Sequence, residues 1–172
     1  MSDISRPIHA VLQLPGTHHC WAAVIAMMQG RAGSDHQAII QQVISEARQA
    51  RVPISRLTGD SLSEAGGPQA LAPAFGFKCT DLRAQSVQDG NYFANFLRFC
   101  PFGLFGQRPG YIGLHAIAIN RLNGDFASLS STHAHGIDPM GGAHAFVRSL
   151  YHLVMPSAQV AGEMRGHYVV WR

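Results

Sequence analysis

The chain has 172 residues, of which 47% are hydrophobic, so it is long and apolar enough to fold around a core of its own. The net charge is +3, but all but one of the 13 positively charged residues are arginines, and they are scattered rather than clustered. We therefore expect no nucleic-acid partner. No membrane partner is expected either, because no apolar run approaches the roughly 20 residues that cross a bilayer.

Cysteine usage and the first residues bear on the compartment in which the protein is made. The three cysteines, Cys20, Cys79 and Cys100, are odd in number and widely spaced, which favours reduced thiols over a disulfide framework. The first dozen residues include Asp3 and Arg6 and lack a continuous apolar core, so no cleavable export signal is expected.

The first half of the chain has helical periodicity. A helix is predicted over about 18–29, and its residues 21–28 are apolar on every side, which is typical of a helix buried in the centre of a domain. Six further features are predicted in this half: a short strand from Ile8, Val11 and Leu12; a second helix that a capping-box pattern at 34–37 opens and Pro53 ends; a loop over 53–68; a helical turn at 69–72; an edge strand at 74–79; and a helix over 87–99.

After Cys100 the pattern changes to short strands. We predict, in order, a strand over 100–106, a strand over 111–122, a hairpin turn at Asn123-Gly124, a returning strand over 125–131, a loop over 131–142, and later strands over 149–155 and 167–172. Helices first and strands second predict an α+β fold. We expect one domain, residues 1–172, with a mainly helical lobe over about 1–99 and an antiparallel β lobe over about 100–172.

Cys20 is the first candidate for chemistry, because it lies in the opening turn of the predicted buried helix. Unpaired backbone N–H groups and the positive end of the helix dipole favour an anion there. Such a position favours the thiolate form of a cysteine, which is the nucleophilic form. Taken alone, the same pattern also fits an ordinary buried cysteine.

A cysteine nucleophile needs a base, and the base needs a residue that orients its ring. His115 is the candidate base, because it lies in an otherwise apolar strand where a polar ring must find a partner. Asp138 is the candidate orienting residue, expected to accept the Nδ1–H of His115 after the chain returns along the neighbouring strand. The side-chain amide of Gln13 and the backbone N–H of Cys20 are candidate donors to an oxyanion.

These residues resemble those of the papain-like cysteine peptidases, and the likeness spans most of the chain. The residues that carry it are Gln13, Cys20-Trp21-Ala22-Ala23 with Met27, the His-Ala-Ile-Ala-Ile strand that begins at His115, and Asp138-Pro139. The chain looks similar to the compact bacterial branch that includes avirulence effectors of plant pathogens. Bacteriocin-leader peptidases share the late histidine strand and the Asp-Pro turn. The chain departs from papain at His18 and His19, where papain has small residues, and it lacks papain's Asn-Ser-Trp tripeptide.

The resemblance implies a papain-like α+β fold in which the central helix carries the cysteine and a catalytic cleft separates the two lobes. It implies four roles: nucleophile for Cys20, base and acid for His115, orientation of the ring for Asp138, and part of the oxyanion hole for Gln13. No metal or other cofactor is implied.

The resemblance also implies partners. His19 and Trp21 flank the thiol and are expected to contact the substrate, which would be a protein, a peptide or peptidoglycan. By the same analogy, we expect a bacterial effector or toxin that is made in the cytoplasm without a cleavable signal and secreted without a leader. An inhibitor or immunity protein would be its natural partner.

Three other interpretations stay open. A peptidoglycan amidase, a deamidase or a transglutaminase-like acyltransferase would use the same order of Cys, His and Asp. A metal site, formed by His133, His135, Asp138 and His144, is less favoured than surface histidines because no paired-cysteine or His-Glu-x-x-His motif accompanies it. A non-catalytic binding module that kept the fold is the third, and Trp21, Cys79 and Cys100 also suit core positions.

Overall fold

The structure, a computed structural model, describes residues 2–5, 8–83, 101–107, 113–125, 130–140, 147–149, 152–156 and 166–172. The predicted helix over 87–99, together with Cys100 and His144, lies outside the described residues. Within them the fold is α+β, as predicted, with helices in the N-terminal half and an antiparallel sheet built mainly from the C-terminal half.

The described α-helices all lie in the first half of the chain. The helices are α1 (Cys20–Met28), α2 (His36–Gln49) and α3 (Gly67–Ala74), and a 3₁₀ turn lies at Arg56–Thr58. The strands are β1 (Ser2–Ser5), β2 (Ile54–Ser55), β3 (Ser61–Leu62), β4 (Lys78–Asp81), β5 (Phe102–Gly106), β6 (His115–Asp125), β7 (Ser130–Ile137), β8 (Val147–Ser149), β9 (His152–Pro156) and β10 (Gly166–Trp171).

Eight of these strands form one antiparallel sheet, in the order β4-β10-β5-β6-β7-β9-β8, and β1 pairs with the second half of β6. Strands β1 and β4 come from the first half of the chain, so the sheet draws on both predicted lobes. Among the described strands, β4 lies at one end of the order, as predicted for an edge strand. The short strands β2 and β3 pair with each other, in a stretch that was predicted to be loop.

Helix α1 is the centre of the core. All nine of its residues are buried, and it packs against α2 and against strands β5 and β6. Gly103 lets the helix lie close to the sheet, since a Cβ at that position would approach Val24 Cγ1 to 2.9 Å and Met28 Sδ to 3.2 Å. The all-round apolar pattern therefore predicted the environment of this helix correctly.

The ends of the helices differ slightly from the predictions. Helix α1 begins two residues later than expected, because His19 has cap rather than helical geometry. Helix α2 is capped by Asp35, whose Oδ1 accepts from Ala38 N at 3.0 Å, rather than by Ser34. Helix α3 extends past the predicted 69–72, so strand β4 begins only at Lys78.

The hairpin prediction was wrong in its turn. Asn123 and Gly124 lie within β6, which continues to Asp125, and the predicted loop over 131–142 is mostly strand β7. The pairing register of β6 and β7 shifts between Asn123 and Gly124. Asn123 pairs with His133 and Gly124 with Ser131, so the extra residue of this β-bulge is Thr132 on β7, and the Asn-Gly pair lies opposite it.

Three further features complete the fold. The predicted strand from Ile8, Val11 and Leu12 is not formed, although Val11 is buried, and the N-terminal strand is β1 instead. One cluster of buried side chains joins helices and sheet. In the part of the chain that the structure describes, no helix has the length and apolar character needed to cross a bilayer.

Candidate active site

Cys20 is the first residue of α1, and its side chain has no exposed surface. The Sγ atom donates to the carbonyl oxygen of Leu114 at 3.7 Å, and the thiol lies close enough to His115 to raise the pKa of its ring. The carbonyl of His19 accepts from Ala23 N at 3.0 Å, which begins the helical hydrogen-bond ladder one residue before the cysteine. The thiol therefore lies where a helix N-terminus favours negative charge.

His115 and Asp138 are brought together by the antiparallel pairing of β6 and β7. His115 is the first residue of β6, and Asp138 follows the last residue of β7. Because Ala118 pairs with Ile137, the returning chain places Asp138 beside the beginning of β6. His115 Nε2 lies 2.9 Å from Asp138 Oδ2, and neither side chain has exposed surface.

The ring of His115 is turned opposite to the prediction. Asp138 was expected to accept the Nδ1–H, but it contacts Nε2, which is the ring nitrogen farther from the backbone. The carboxylate reaches that far because the turn holds it in place, with Oδ1 accepting from Met140 N at 3.0 Å. With Nε2 engaged by Asp138, a proton exchange between His115 and Cys20 would have to use Nδ1.

The surroundings of His115 favour its protonated form. Burial lowers the pKa of His115, but the negative charge of Asp138 and its hydrogen bond raise it, and Cys20 adds a smaller rise through its own hydrogen bond and charge. The net effect raises the pKa of His115 from 6.5 to about 9. At neutral pH the ring is therefore an imidazolium between a carboxylate and a sulfur, which is the state that a thiol nucleophile needs from its partner.

Gln13 lies close to the Asp138 turn and is only 7% exposed. Its backbone N–H donates to the carbonyl oxygen of Pro139 at 3.0 Å, and its side-chain Nε2 donates to the carbonyl oxygen of Thr17 at 2.6 Å. The second contact spans the turn that leads into α1. It uses one of the two amide hydrogens, which leaves the other for a further acceptor.

The two residues that flank Cys20 differ in position. Trp21 has no exposed surface and donates its indole N–H to the carbonyl oxygen of Asp60 at 2.9 Å, so it lies in the core and offers no surface to a substrate in this conformation. His19 is 8% exposed, and its Nε2 lies 3.9 Å from Asp60 Oδ2. Burial lowers the pKa of His19, and the opposing effect of Asp60 does not fully offset it.

Sequence reasoning missed Asp60, which contacts both neighbours of the candidate nucleophile. Asp60 also pairs with Arg48 of α2. The only local signal was the Gly59-Asp60 dipeptide, which indicates a turn but not what the turn touches.

The metal interpretation gains no support from the described residues, among which no group of three or more His, Cys, Asp or Glu side chains is placed to hold an ion. His133 and His135 lie on strand β7 rather than in a loop, and Asp138 is engaged by His115.

Comparison with known proteins gives a similarity of overall shape. No family model matches the chain, and neither does any curated protein. Among solved structures, the chain is similar to the crystal structure of the Pseudomonas avirulence protein AvrPphB, with 13% sequence identity and a TM-score of 0.46. The alignment covers 98% of this chain and 95% of that chain. A likeness of this size identifies no site residue.

Proposed function

We propose that the protein is a papain-like cysteine peptidase that cleaves an amide bond through a thioester on Cys20. The observation that supports this best is the buried group of Cys20, His115 and Asp138, in which the carboxylate contacts the imidazole and the thiol lies close enough to raise the pKa of the same ring. Three polar side chains with no exposed surface would be costly in a core unless they served one another or a reaction.

The proposed reaction needs one proton carrier. In the resting pair His115 already holds the thiol proton as an imidazolium, and the thiolate of Cys20 attacks the carbonyl carbon of the substrate amide. The tetrahedral oxyanion accepts hydrogen bonds from the Gln13 side chain and the Cys20 backbone N–H. The imidazolium gives its proton to the leaving amine as the C–N bond breaks, which leaves an acyl-thioester and a neutral ring.

The second half of the reaction restores the enzyme. Neutral His115 takes a proton from water, the hydroxide attacks the thioester carbonyl, and the C–S bond breaks. The thiolate leaves as the acid forms, and the proton stays on the ring. Asp138 holds the ring in place and stabilises its positive charge in both halves.

Substrate class and setting are part of the same proposal. A protein, a peptide or peptidoglycan presents the required amide, and a secreted bacterial effector or toxin with an inhibitor protein is the setting that the family resemblance favours. The sulfur of Cys20 has no exposed surface, so a substrate must displace the atoms that cover it.

The test is chemical. The protein is incubated with a mixed protein substrate, with peptidoglycan, and with a protein plus an amine donor, and mass spectrometry identifies the bond that changes. We expect new peptide termini in the first sample, and Cys20→Ala should abolish them while Cys79→Ala, the matched control, should not. Full activity of Cys20→Ala would refute the mechanism. If only peptidoglycan were cleaved, or only the amine transferred, the triad would stand but the proposed substrate class or reaction would be wrong.

A further inference from the structure

Asp60 contacts three residues that lie far from it in sequence. Its carbonyl oxygen accepts from the Trp21 indole N–H at 2.9 Å, and its Oδ2 lies 3.9 Å from His19 Nε2. Its Oδ1 pairs with the guanidinium of Arg48, on α2. We call these four residues the Asp60 clamp.

Asp60 holds an unfavourable backbone conformation while it makes these contacts. Its φ is +63°, and Arg51 is the other non-glycine residue with a positive φ in the described ranges. Asp60 N donates to the carbonyl oxygen of Ser55 at 2.9 Å, which closes the loop between β2 and β3. Strain of this kind persists where neighbouring contacts hold the residue in place, and such residues cluster at functional sites.

The clamp acts on both sides of the candidate nucleophile. His19 and Trp21 are the residues immediately before and after Cys20; Asp60 accepts a hydrogen bond from Trp21, and its carboxylate lies 3.9 Å from His19. The position of the sulfur relative to His115 depends on where α1 begins. A shift of the helix start by a fraction of a turn would therefore separate the sulfur from the ring.

The charges around His19 agree with a geometric role. Burial lowers the pKa of His19, Asp60 raises it, and His18 and Arg48 lower it. His19 is therefore mainly neutral at neutral pH, and the charge of Asp60 is directed chiefly to Arg48. A partly exposed ion pair such as Asp60–Arg48 contributes little to folding stability. We therefore expect the contacts of Asp60 to affect the position of its neighbours more than the stability of the fold.

We propose that Asp60 is a positioning residue that fixes the first turn of α1, and thereby the Cys20 thiol, against His115. This inference rests on the proposed function, since it concerns the same thiol and imidazole. It assigns a role to a loop residue that does not itself touch the reacting atoms.

The experiment compares two alkylating reagents on Cys20. Iodoacetate is an anion that an imidazolium attracts, whereas iodoacetamide is neutral and of similar size. Both must reach the same buried sulfur, so the ratio of their rates cancels most of the effect of access. Peptide mapping by mass spectrometry follows Cys20 separately from the other cysteines as a function of pH.

Wild-type protein should prefer iodoacetate near neutral pH and lose that preference as the pH rises through about 9, where His115 loses its proton. Asp60→Gly relieves the positive φ but removes the carboxylate. It should lower the preference by about tenfold, because small misplacements of reacting groups have large effects on rate. Asp60→Asn tolerates the same backbone conformation and keeps an oxygen for Arg48, so it should recover most of the loss.

Arg51→Gly is the matched control, since it relieves a similar backbone conformation (φ +59°) at the end of α2. It should leave the ratio of rates unchanged. A purely structural Asp60 would lower the melting temperature and leave the ratio as in wild type, and that result would overturn the proposal. Should Asp60→Gly fail to fold, Trp21→Phe decides the same question, because it removes the indole N–H together with the five-membered ring, and an unchanged ratio there would count against the clamp.

The two proposals fail in different ways. A wild-type protein without any preference for iodoacetate would remove the thiol–imidazolium pair and with it the proposed function. A wild-type preference that all clamp variants retain would remove only the role of Asp60.

Discussion

Raising the pH should destabilise the protein, because His115 keeps its proton to a higher pH in the folded protein than in the unfolded chain. The pKa of His115 is raised to about 9 in the folded protein, against 6.5 for an ordinary histidine. That gap corresponds to about 3 kcal/mol of stability. Since the folded value is the higher one, this stability is fully present below pH 6.5 and is lost as the pH rises through about 9.

The thiol must be removed from this measurement. If the proton on His115 comes from Cys20, the folded pair and the unfolded chain hold equal numbers of protons near neutral pH, and the wild-type curve flattens. Cys20→Ser removes that exchange, because serine does not ionise in this range. It also removes the smaller contributions of Cys20 to the pKa of His115, so the expected loss between about pH 7 and about pH 10 is roughly 2 kcal/mol.

The assay is urea unfolding of Cys20→Ser and of Cys20→Ser/Asp138→Asn across that pH range. Asparagine can still accept from the ring N–H but carries no charge, so burial should keep His115 neutral in the double variant. Subtracting the two curves cancels the other titrating groups. Parallel curves for the two proteins would show that Asp138 does not hold a proton on His115, and the reasoning would be refuted.

Three further predictions concern other parts of the molecule. Burial and the charge of Asp81 raise the pKa of Cys79 to about 11. Iodoacetamide should therefore modify Cys79 slowly at neutral pH and faster as the pH approaches 11. Asp81→Asn should move this increase in rate to lower pH. Gly136→Ala should reduce the free energy of unfolding by several kcal/mol, as overpacking of a core does, because the added Cβ would collide with the carbonyl oxygen of Ala118 between β6 and β7. The same change should impair the reactivity of Cys20. A urea midpoint like that of wild type would contradict this. Glu46→Gln should change the free energy of unfolding by less than about 1 kcal/mol, because the ion pair of Glu46 with Arg31, 2.7 Å long, is partly exposed. A larger change in urea unfolding would mean that the pair is coupled to the core.

Local patterns were enough to predict the elements that carry the candidate site. A helix that is apolar on every side must be buried, and a histidine in an apolar strand must find a partner, so the surroundings of Cys20 and His115 followed from their neighbours. The contact between His115 and Asp138 followed from the return of the chain along the next strand. It did not depend on the position of the turn, which was predicted wrongly at Asn123-Gly124.

Features that depend on long-range packing were not predictable. The choice of Nε2 over Nδ1 depends on how far the Asp138 carboxylate lies from the backbone of β6, and no residue pattern reports that distance. The same is true of Asp60, whose partners on α1 and α2 become neighbours only when the helices pack. Trp21 was assigned both to substrate and to core, because an aromatic residue beside a nucleophile fits either until burial is known.

The most direct measurement is the protonation state of the His115 ring, read from nitrogen-15 NMR of the side chain at neutral pH. We expect both ring nitrogens to carry protons in the wild-type protein, and Asp138→Asn to return the ring to its neutral form. A neutral ring in wild type, unaffected by the loss of the Asp138 charge, would contradict the central claim that sulfur, imidazole and carboxylate act as one unit.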